Sequence, residues 1–385
     1  MAASRGLDIG WLKSDCGVST DTDTASLKEK KICIVIPKEK FTNPVVSFFE
    51  QYFREYSFTY IVYGPEDAQG YVRPQIGDLL EFDTWIAALA CDRVGHVLKE
   101  SNLIIIEYVI PLLTFRLLRY SKKLLLVFWG GDLYPYCADH LLSVRDCFKK
   151  ILIQYAISKS AYVGTLTLDD GKLLNNSFPR HGKCYEVMVV GGDVGSEAIS
   201  TIDCHSKNDG SLRILIGNSA TETNRHIQIL NQLAKFKDED IELYLPLSYG
   251  DMEYREMVLS YGYKIFKDKF KPLVDFIAYS DYQALLRTID VGVFNNSRQQ
   301  GLGNISRLLR FGAKVYLPKD SPNYNHFSHL GCVIHDFHDI NGEIFESFAS
   351  YLDSERCQNM ISTSTSRYRD RAIELWSNLF NEVIW

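Results

Sequence analysis

The sequence predicts an α/β protein with two doubly wound domains, each a parallel sheet covered by helices on both faces. The first observation is a series of short, wholly apolar runs, such as residues 103–106 and 291–294, which are typical of strands buried on both faces. The second is that helical patterns alternate with these runs. The third is a polar, glycine-rich stretch at 191–210, after which the same alternation restarts.

The first half supplies six strands and four helices to this prediction. Residues 64–82 are rich in Gly, Pro and Asp and are predicted to be a loop. Asn43 and Pro44 favour a helix start, as an N-cap and a first helical residue. The strands are predicted at 31–36, 58–63, 103–106, 124–128, 161–165 and 185–190, and the helices at 43–56, 83–99, 111–122 and 138–158. The last of these helices has an apolar face made of Val144, Phe148, Ile151, Leu152 and Tyr155.

The second half repeats the alternation of strands and helices, and the two halves together give the predicted domain boundaries. Its strands are predicted at 213–216, 241–245, 263–266, 291–294 and 314–317, and its helices at 221–236, 249–261, 281–289, 303–311 and 366–384. We expect a flexible leader at 1–30, a first domain at 31–190, a linker at 191–210, a second domain at 211–365, and a C-terminal helix at 366–385. Packing of that helix back on the first domain is one option. Two such domains place a ligand cleft at the carboxyl ends of their strands.

Composition excludes several classes of protein. The 385 residues are 46% hydrophobic and 23% charged, as in a soluble globular protein, and the net charge of −6 gives no general attraction to nucleic acid. Nine cysteines without a C-x-x-C pair favour reduced, buried thiols in a cytosolic protein. The histidines lack metal-site spacing, and the acidic pair Asp169 and Asp170 is interpreted as solvated, so no metal is expected. No signal peptide or membrane-spanning segment is predicted.

The loop between the strand at 291–294 and the next helix is the strongest candidate for a binding site. Backbone N–H groups at a helix start are unpaired and carry partial positive charge, which suits a phosphate. Arg298 adds a planar cation, and glycine allows close approach of a ligand. We therefore expect a nucleotide diphosphate here, the alternative being a plain glycine-containing turn. The candidate residues are Arg298, Gln299, Gln300, Gly301, Gly303 and Asn304.

The first strand of the second half ends in a second candidate loop. The first strand–loop–helix of a doubly wound domain commonly lies against phosphate or sugar. The alternative is that Ser219 or Thr221 only caps the helix and that His226 is a surface residue. The candidates at this loop are Gly217, Asn218, Ser219, Asn224 and His226, and Tyr249 is added from the loop after the next strand.

Two carboxylates of the first half follow buried strands. Asp132 comes after Trp129 and two glycines, and it can act as a general base toward an acceptor hydroxyl or cap the following helix. Glu107 is the second candidate, and its alternative is an ordinary acid ahead of Pro111. Arg116, Arg119 and Lys123 recur at helical spacing, a pattern that suits either an anionic lipid surface or a solvated face.

Several of these blocks resemble a known family. LRILIGNSATETNRHIQIL from Leu212, SRQQGLG from Ser297, WGGDLY from Trp129 and DYQALLRTIDVG from Asp281 are similar to blocks of the TDP-Fuc4NAc:lipid II Fuc4NAc transferase family of enterobacterial common antigen synthesis. The likeness spans roughly residues 100–330 in scattered blocks. Where the family has a His-Gly-Gln motif, this chain has Glu107, Tyr108 and Val109, which leaves the acceptor open.

The resemblance implies a metal-independent GT-B glycosyltransferase with no cofactor beyond its nucleotide-sugar donor. It implies transfer of a 4-amino-4,6-dideoxyhexose, TDP-linked, to a polyprenyl-pyrophosphate-linked or other glycan in bacterial surface polysaccharide synthesis. The expected location is the cytoplasm, with peripheral attachment to the inner face of the cytoplasmic membrane as an option. The alternatives are a GT-B nucleotide-sugar epimerase and an inactive nucleotide-sugar-binding partner. An oxidoreductase is disfavoured because neither first strand is followed by G-x-G-x-x-G.

Overall fold

The computed structural model describes residues 30–65, 71–76, 78–137, 143–188 and 210–384. The predicted leader and linker therefore lie almost wholly outside the described residues. Within them the chain forms two parallel sheets flanked by helices, and this confirms the predicted doubly wound architecture.

The first sheet has seven strands, and every strand pair in it is parallel. In chain order these are β1 Lys31–Pro37, β2 Ser57–Tyr63, β3 Leu79–Phe82, β4 Leu103–Glu107, β5 Leu124–Phe128, β6 Tyr162–Thr165 and β7 Lys183–Glu186. Their spatial order is β3-β2-β1-β4-β5-β6-β7. The apolar run 103–106 of β4 and the wholly apolar strand β5 lie in the interior of the sheet, where both faces are covered.

Helices pack on both faces of this sheet. They are α1 Thr42–Tyr52, α2 Trp85–Ala90, α3 Asp92–Glu100, α4 Pro111–Leu117, α5 Tyr134–Cys137, α6 Val144–Lys159 and α7 Leu168–Ser177. Alternate residues of β1 enter opposite cores, Ile34 on one face and Val35 on the other. The sheet is therefore the wall between two apolar cores.

The second sheet has six strands, also parallel throughout. They are β8 Leu212–Ile216, β9 Ile241–Pro246, β10 Phe270–Leu273, β11 Val291–Val293, β12 Lys314–Leu317 and β13 His335–Asp336, in the spatial order β10-β9-β8-β11-β12-β13. The helices of this half are α8 His226–Leu233, α9 Met252–Phe266, α10 Tyr279–Arg287, α11 Leu302–Arg310, α12 Pro322–His329, α13 Phe345–Ala349, α14 Asp353–Ser362 and α15 Thr365–Val383.

The final helix, α15, packs on the first sheet. Trp376 is 1% exposed, its ring lies 4.9 Å from that of Phe49 in an edge-to-face arrangement, and its indole N–H donates to the Met188 carbonyl at 3.1 Å. Phe380 joins the same core. The core on this face of the first domain is thus completed by residues from the far end of the chain.

Several elements differ from the sequence-based prediction. The helix expected at 83–99 is two helices, because Cys91 has extended backbone dihedrals between them. The predicted loop at 64–82 contains the edge strand β3. The predicted strand at 263–266 was wrong: those residues end α9, whose buried positions Val258, Gly262 and Phe266 recur every four residues. Short apolar runs cannot be assigned by periodicity alone.

Other differences concern helix ends and short elements. Helix α1 begins at Thr42, so Asn43 and Pro44 lie within its first turn instead of at its start. Helix α7, the helices from α12 to α14 and strand β13 were not predicted. Residues 138–142, at the start of the predicted helix over 138–158, lie outside the described residues, and α6 begins at Val144.

The predicted apolar face of α6 is present, but most of it does not enter the core. Leu152 is buried, but Val144, Phe148, Ile151 and Tyr155 are between 48% and 89% exposed. The inner face is instead formed by Leu152, Ile153, Ala156 and Ile157. The cationic stripe does not persist either, because α4 ends at Leu117 and the Lys123 ammonium donates to the carbonyls of Lys99 and Ser101.

Fewer cysteines are buried than the sequence predicted. Of the cysteines that the structure describes, only Cys33 and Cys332 are buried. Among the described helices, none is both long and apolar enough to cross a membrane.

Candidate active site

The candidate site lies where the carboxyl ends of the two sheets face each other. The loops after β1, β4 and β5 contribute from the first domain, and the loops after β8 and β11 contribute from the second. Gly130 and Gln299 bring the two sets of loops into contact. Gly130 has φ +93°, and a Cβ there would collide with the Gln299 side-chain oxygen, so this approach requires glycine.

The loop after β8 is organised by a buried asparagine. Asn224 is fully buried, and its Oδ1 accepts hydrogen bonds from the Asn218 backbone N–H at 3.2 Å and from Asn296 Nδ2 at 2.9 Å. Its Nδ2 donates to the Ser219 carbonyl at 2.9 Å. All of its described bonds are to the protein, so Asn224 shapes the loop and leaves ligand contacts to its neighbours.

His226 lies beneath the same loop and is fully buried, not on the surface as the alternative interpretation had it. Its Nδ1 and backbone N–H both lie within hydrogen-bonding distance of the Tyr254 hydroxyl, at 3.2 and 3.0 Å. Burial lowers the pKa of His226 to about 4, so the ring is neutral near pH 7. Gly217 has φ +66°, and a Cβ there would lie 2.6 Å from His226 Nε2, which explains the glycine.

Gln300 joins the two loops of the second domain. Its Oε1 accepts from the Thr223 hydroxyl at 2.6 Å, and its Nε2 donates to Asn218 Oδ1 at 3.1 Å. Its backbone carbonyl accepts from Asn323 Nδ2 at 2.8 Å. The bonds to Thr223 and Asn218 connect side chains that are more than 70 positions apart in the sequence, so the two loops are held together.

Helix α11 begins beside these two loops, and the backbone N–H groups of its first turn are not capped. Gly301 precedes it in the left-handed conformation, with φ +71°, and no side chain caps the helix among the described residues. The first described backbone bond of the helix runs from the Ile305 N–H to the Gly301 carbonyl, so the N–H groups of 302–304 remain available. Gly303 is exposed, while the Asn304 side chain donates to the Tyr282 hydroxyl at 2.9 Å.

Arg298 faces the first domain across the gap. Its side chain is partly buried, and its Nη1 donates weakly to the Gln299 carbonyl at 3.3 Å. Burial lowers the pKa of its guanidinium, while Tyr134, Tyr108, Asp132 and, to a smaller degree, Asp170 act in the opposite direction. Within the described part of the chain no ion pair holds this guanidinium, so it remains free to meet an anion in the gap.

Asp132 and Glu107 are buried together on the first-domain side. Asp132 is 4% exposed, and its two oxygens accept from the backbone N–H groups of Val109, at 2.6 Å, and Trp129, at 2.8 Å. Both donors precede it in the chain, so these bonds do not cap the following helix. Glu107 is 1% exposed and accepts from the Trp129 indole N–H at 2.7 Å, which argues against the alternative of an ordinary acid ahead of Pro111.

Burial has a large effect on both carboxyl groups. It raises the pKa of Asp132 to about 7 and that of Glu107 to about 8, and the hydrogen bonds that each accepts only partly offset this. Each group can therefore exchange a proton near neutral pH, which is the property that a general base requires.

A third carboxyl group of this cluster was missed from the sequence. Glu39 follows β1, burial raises its pKa to about 7, and its Oε1 is buried with no hydrogen-bond partner among the described residues. Asp170 was interpreted as solvated, but it is 1% exposed and accepts from the Tyr134 hydroxyl at 2.7 Å. The only sequence signal was position after a buried strand or in a first helical turn, which many surface acids share.

Tyr249 lies at the edge of the site. Its ring is 42% exposed and sits 4.8 Å beneath the Lys40 ammonium of the first domain, a cation–π contact across the gap. The structure thus brings together the candidates of the two second-domain loops and sets Arg298 opposite Asp132. Within the described residues, no group of three or more His, Cys, Asp or Glu side chains could hold a metal ion.

Two doubly wound domains whose carboxyl edges face each other across a gap define the GT-B class of glycosyltransferases, which take a nucleotide sugar as donor. The comparison with protein families agrees, since residues 118–344 match the model described as 4-alpha-L-fucosyltransferase, glycosyl transferase group 56. The chain belongs to this family, and it is a glycosyltransferase that uses a nucleotide sugar. This confirms the family suspected from the sequence blocks.

Solved structures support the fold independently. A glycosyltransferase from Rickettsia africae ESF-5 has 12% identity and a TM-score of 0.63, covering 92% of this chain and 100% of its own. HepE from Anabaena, in complex with UDP and glucose, has 12% identity and a TM-score of 0.61, covering 91% and 100%. Sucrose-phosphate synthase from Thermosynechococcus elongatus has 11% identity and a TM-score of 0.61, covering 91% and 96%. At these identities the likeness concerns the fold.

Proposed function

We propose that the enzyme transfers a 4-amino-4,6-dideoxyhexose from a TDP-linked donor to a lipid-linked or other glycan acceptor in bacterial surface polysaccharide synthesis. The observation that carries the proposal is the open first turn of α11 beside the unpaired Arg298, opposite a cluster of buried carboxyl groups. The family membership favours transfer over the epimerase and inactive-partner alternatives.

The donor diphosphate would bind between Arg298 and the start of α11. The free N–H groups of 302–304 and the helix dipole supply partial positive charge, and the guanidinium supplies a full charge. Negative charge grows on the leaving diphosphate as the glycosidic bond breaks, so these groups stabilise the transition state more than the ground state. Asn218 and Ser219 would orient the phosphate or sugar. This arrangement provides the neutralising charge from the protein, and we propose that no metal is required.

Asp132 is the proposed base for the acceptor hydroxyl. Asp132 comes two residues after Gly130, whose backbone meets Gln299 of the donor loop, and its charge acts on Arg298. Its raised pKa of about 7 allows it to accept a proton near neutral pH. Glu107 would then position Trp129, the first residue of the loop after β5, by accepting the hydrogen bond from its indole N–H.

The experiment that tests the donor site is a thermal-shift panel of TDP-, UDP- and GDP-sugars on the full chain. A donor at 100 times its Kd adds about 2.7 kcal/mol of stability. We expect the TDP-linked sugar to give the largest shift, and Arg298→Ala to abolish that shift and lower turnover at least about tenfold, the loss of roughly one charge-assisted hydrogen bond.

The control is Arg255→Ala, which removes a partly buried second-domain cation paired with Glu256. It should leave donor binding unchanged. Near-wild-type turnover in Arg298→Ala would remove the proposed diphosphate site. Donor that changes stereochemistry without acceptor would indicate the epimerase, and donor binding without any turnover would indicate the inactive partner.

A further inference from the structure

Six exposed apolar side chains form one surface on the first domain, which we call the α4/α6 face. Its members are Leu112 and Phe115 on α4 and Val144, Phe148, Ile151 and Tyr155 on α6. Their exposure runs from 43% for Phe115 to 89% for Val144. The α6 members recur at spacings of four, three and four, so they lie on one side of that helix. The rings of Phe115 and Tyr155 are 6.1 Å apart, which joins the two stripes.

This face is additional to the one that α6 uses in the core. The opposite side of the helix, which includes Ile153 and Ile157, is fully buried. Helix α6 is therefore apolar on both sides, and no described part of the chain covers the outer side. A contiguous exposed apolar surface of this kind marks an interaction site more often than it marks chance.

The segments that form the α4/α6 face carry almost only positive charge. Residues 111–123 carry four cations and no acid, and residues 143–159 carry four cations and one acid. That acid, Asp146, pairs with Lys149 at 2.9 Å. The whole chain has a net charge of −6, so this concentration of cations runs against the charge of the protein. Lys123 is held by the carbonyls of Lys99 and Ser101. The other cations are Arg116, Arg119, Lys122, Arg145, Lys149, Lys150 and Lys159.

We propose that the α4/α6 face docks on an anionic phospholipid bilayer. Apolar side chains would enter the boundary between headgroups and acyl chains, and the surrounding cations would meet lipid phosphates. The chemistry that matches both features at once is an apolar layer beneath a negatively charged surface.

The α4/α6 face lies on the side from which a lipid-linked acceptor would approach. This role of the face rests on the function proposed above. In a parallel sheet the helix after a strand begins at the carboxyl edge, and α4 begins four residues after Glu107. The face therefore starts on the edge of the first domain that carries Asp132. A lipid-linked acceptor would reach the carboxyl cluster from the bilayer on which the α4/α6 face is docked.

The test is co-sedimentation of the full chain with vesicles, in the absence of donor. Vesicles of phosphatidylcholine with one third phosphatidylglycerol should bind the wild type, and added salt should weaken binding. Phe148→Glu with Ile151→Glu should lower partitioning at least tenfold. Arg116→Gln with Arg119→Gln should lower it about 30-fold on anionic vesicles only, at roughly 1 kcal/mol per charge.

The matched controls are Ile344→Glu and Leu352→Glu, which change apolar residues that are 67% and 64% exposed in the second half of the chain. They should bind vesicles as the wild type does. All variants should keep the donor-induced thermal shift, which reads the donor site separately. Vesicle binding without transfer to a lipid-linked acceptor would refute the proposed function and support the docking face.

Two results would overturn the docking proposal. One is a wild-type protein that stays in the supernatant with anionic vesicles. The other is a dimer, measured by light scattering, that the double glutamate variant dissociates while neither protein binds vesicles, because a second copy of the chain would then cover the face.

Discussion

Replacing Glu107 by glutamine should make the first domain more stable, and the gain should grow with pH. Glu107 is 1% exposed, and burial raises its pKa from an ordinary value of 4.5 to about 8. The folded protein therefore binds this proton more tightly than the unfolded chain does. The contribution of Glu107 to stability is most favourable below pH 4.5 and is lost progressively as the pH rises to about 8.

The magnitude follows from the distance between the two pKa values. Each pH unit between them costs about 1.4 kcal/mol, so the cost rises by about 2 kcal/mol from pH 6 to pH 8. Glutamine has no proton to lose and keeps an oxygen that can accept the Trp129 indole bond. The free energy of unfolding of Glu107→Gln, minus that of wild type, should thus increase by about 2 kcal/mol over this range.

Urea unfolding followed by tryptophan fluorescence measures this difference. Trp376 lies in a core of the first domain, and Trp85 and Trp129 pack against its cores, so their signal reports on this domain. Asp132 and Glu39 are present in both proteins, and the exposed second-domain change Glu253→Gln is the control. A difference that stays constant from pH 6 to pH 8 would refute the argument that burial controls the ionisation of Glu107.

Two further predictions concern the base and the last helix. Asp132→Asn should lower kcat at least about 100-fold, as expected for a general base, and Glu39→Gln less than tenfold; steady-state kinetics would show the opposite order if Glu39 takes the proton. Trp376→Ala should destabilise the first domain by about 3–5 kcal/mol, because the indole is buried against Phe49. Urea unfolding would contradict this packing if the midpoint did not move.

The sheet architecture could be predicted because, in a soluble chain, continuous apolar runs such as β4 and β5 are stable mainly as strands buried on both faces. The GT-B fold and the family could be predicted for a related reason, because the sequence blocks that indicate them are local. Both predictions were confirmed. The strand expected at 263–266 was wrong because its short apolar run fits the end of a helix equally well.

Contacts between distant residues could not be predicted. The bond between Asn218 and Gln300 joins loops 82 positions apart, and the burial of Asp170 depends on Tyr134 and the loops around it. Nothing local distinguishes Phe148, which is exposed, from Leu152, which is buried one turn later on the same helix. Whether an apolar stripe enters the core depends on how much of the sheet its neighbours already cover.

The return of α15 to the first sheet has a consequence for how the protein is made. The core around Phe49 includes Trp376 and Phe380, more than 300 residues later in the chain. During synthesis the first domain must therefore wait, with part of one side of its sheet uncovered, until residues 376–380 have left the ribosome. A chaperone that shields this side is expected to matter more for the yield of native enzyme than one that acts on the second domain.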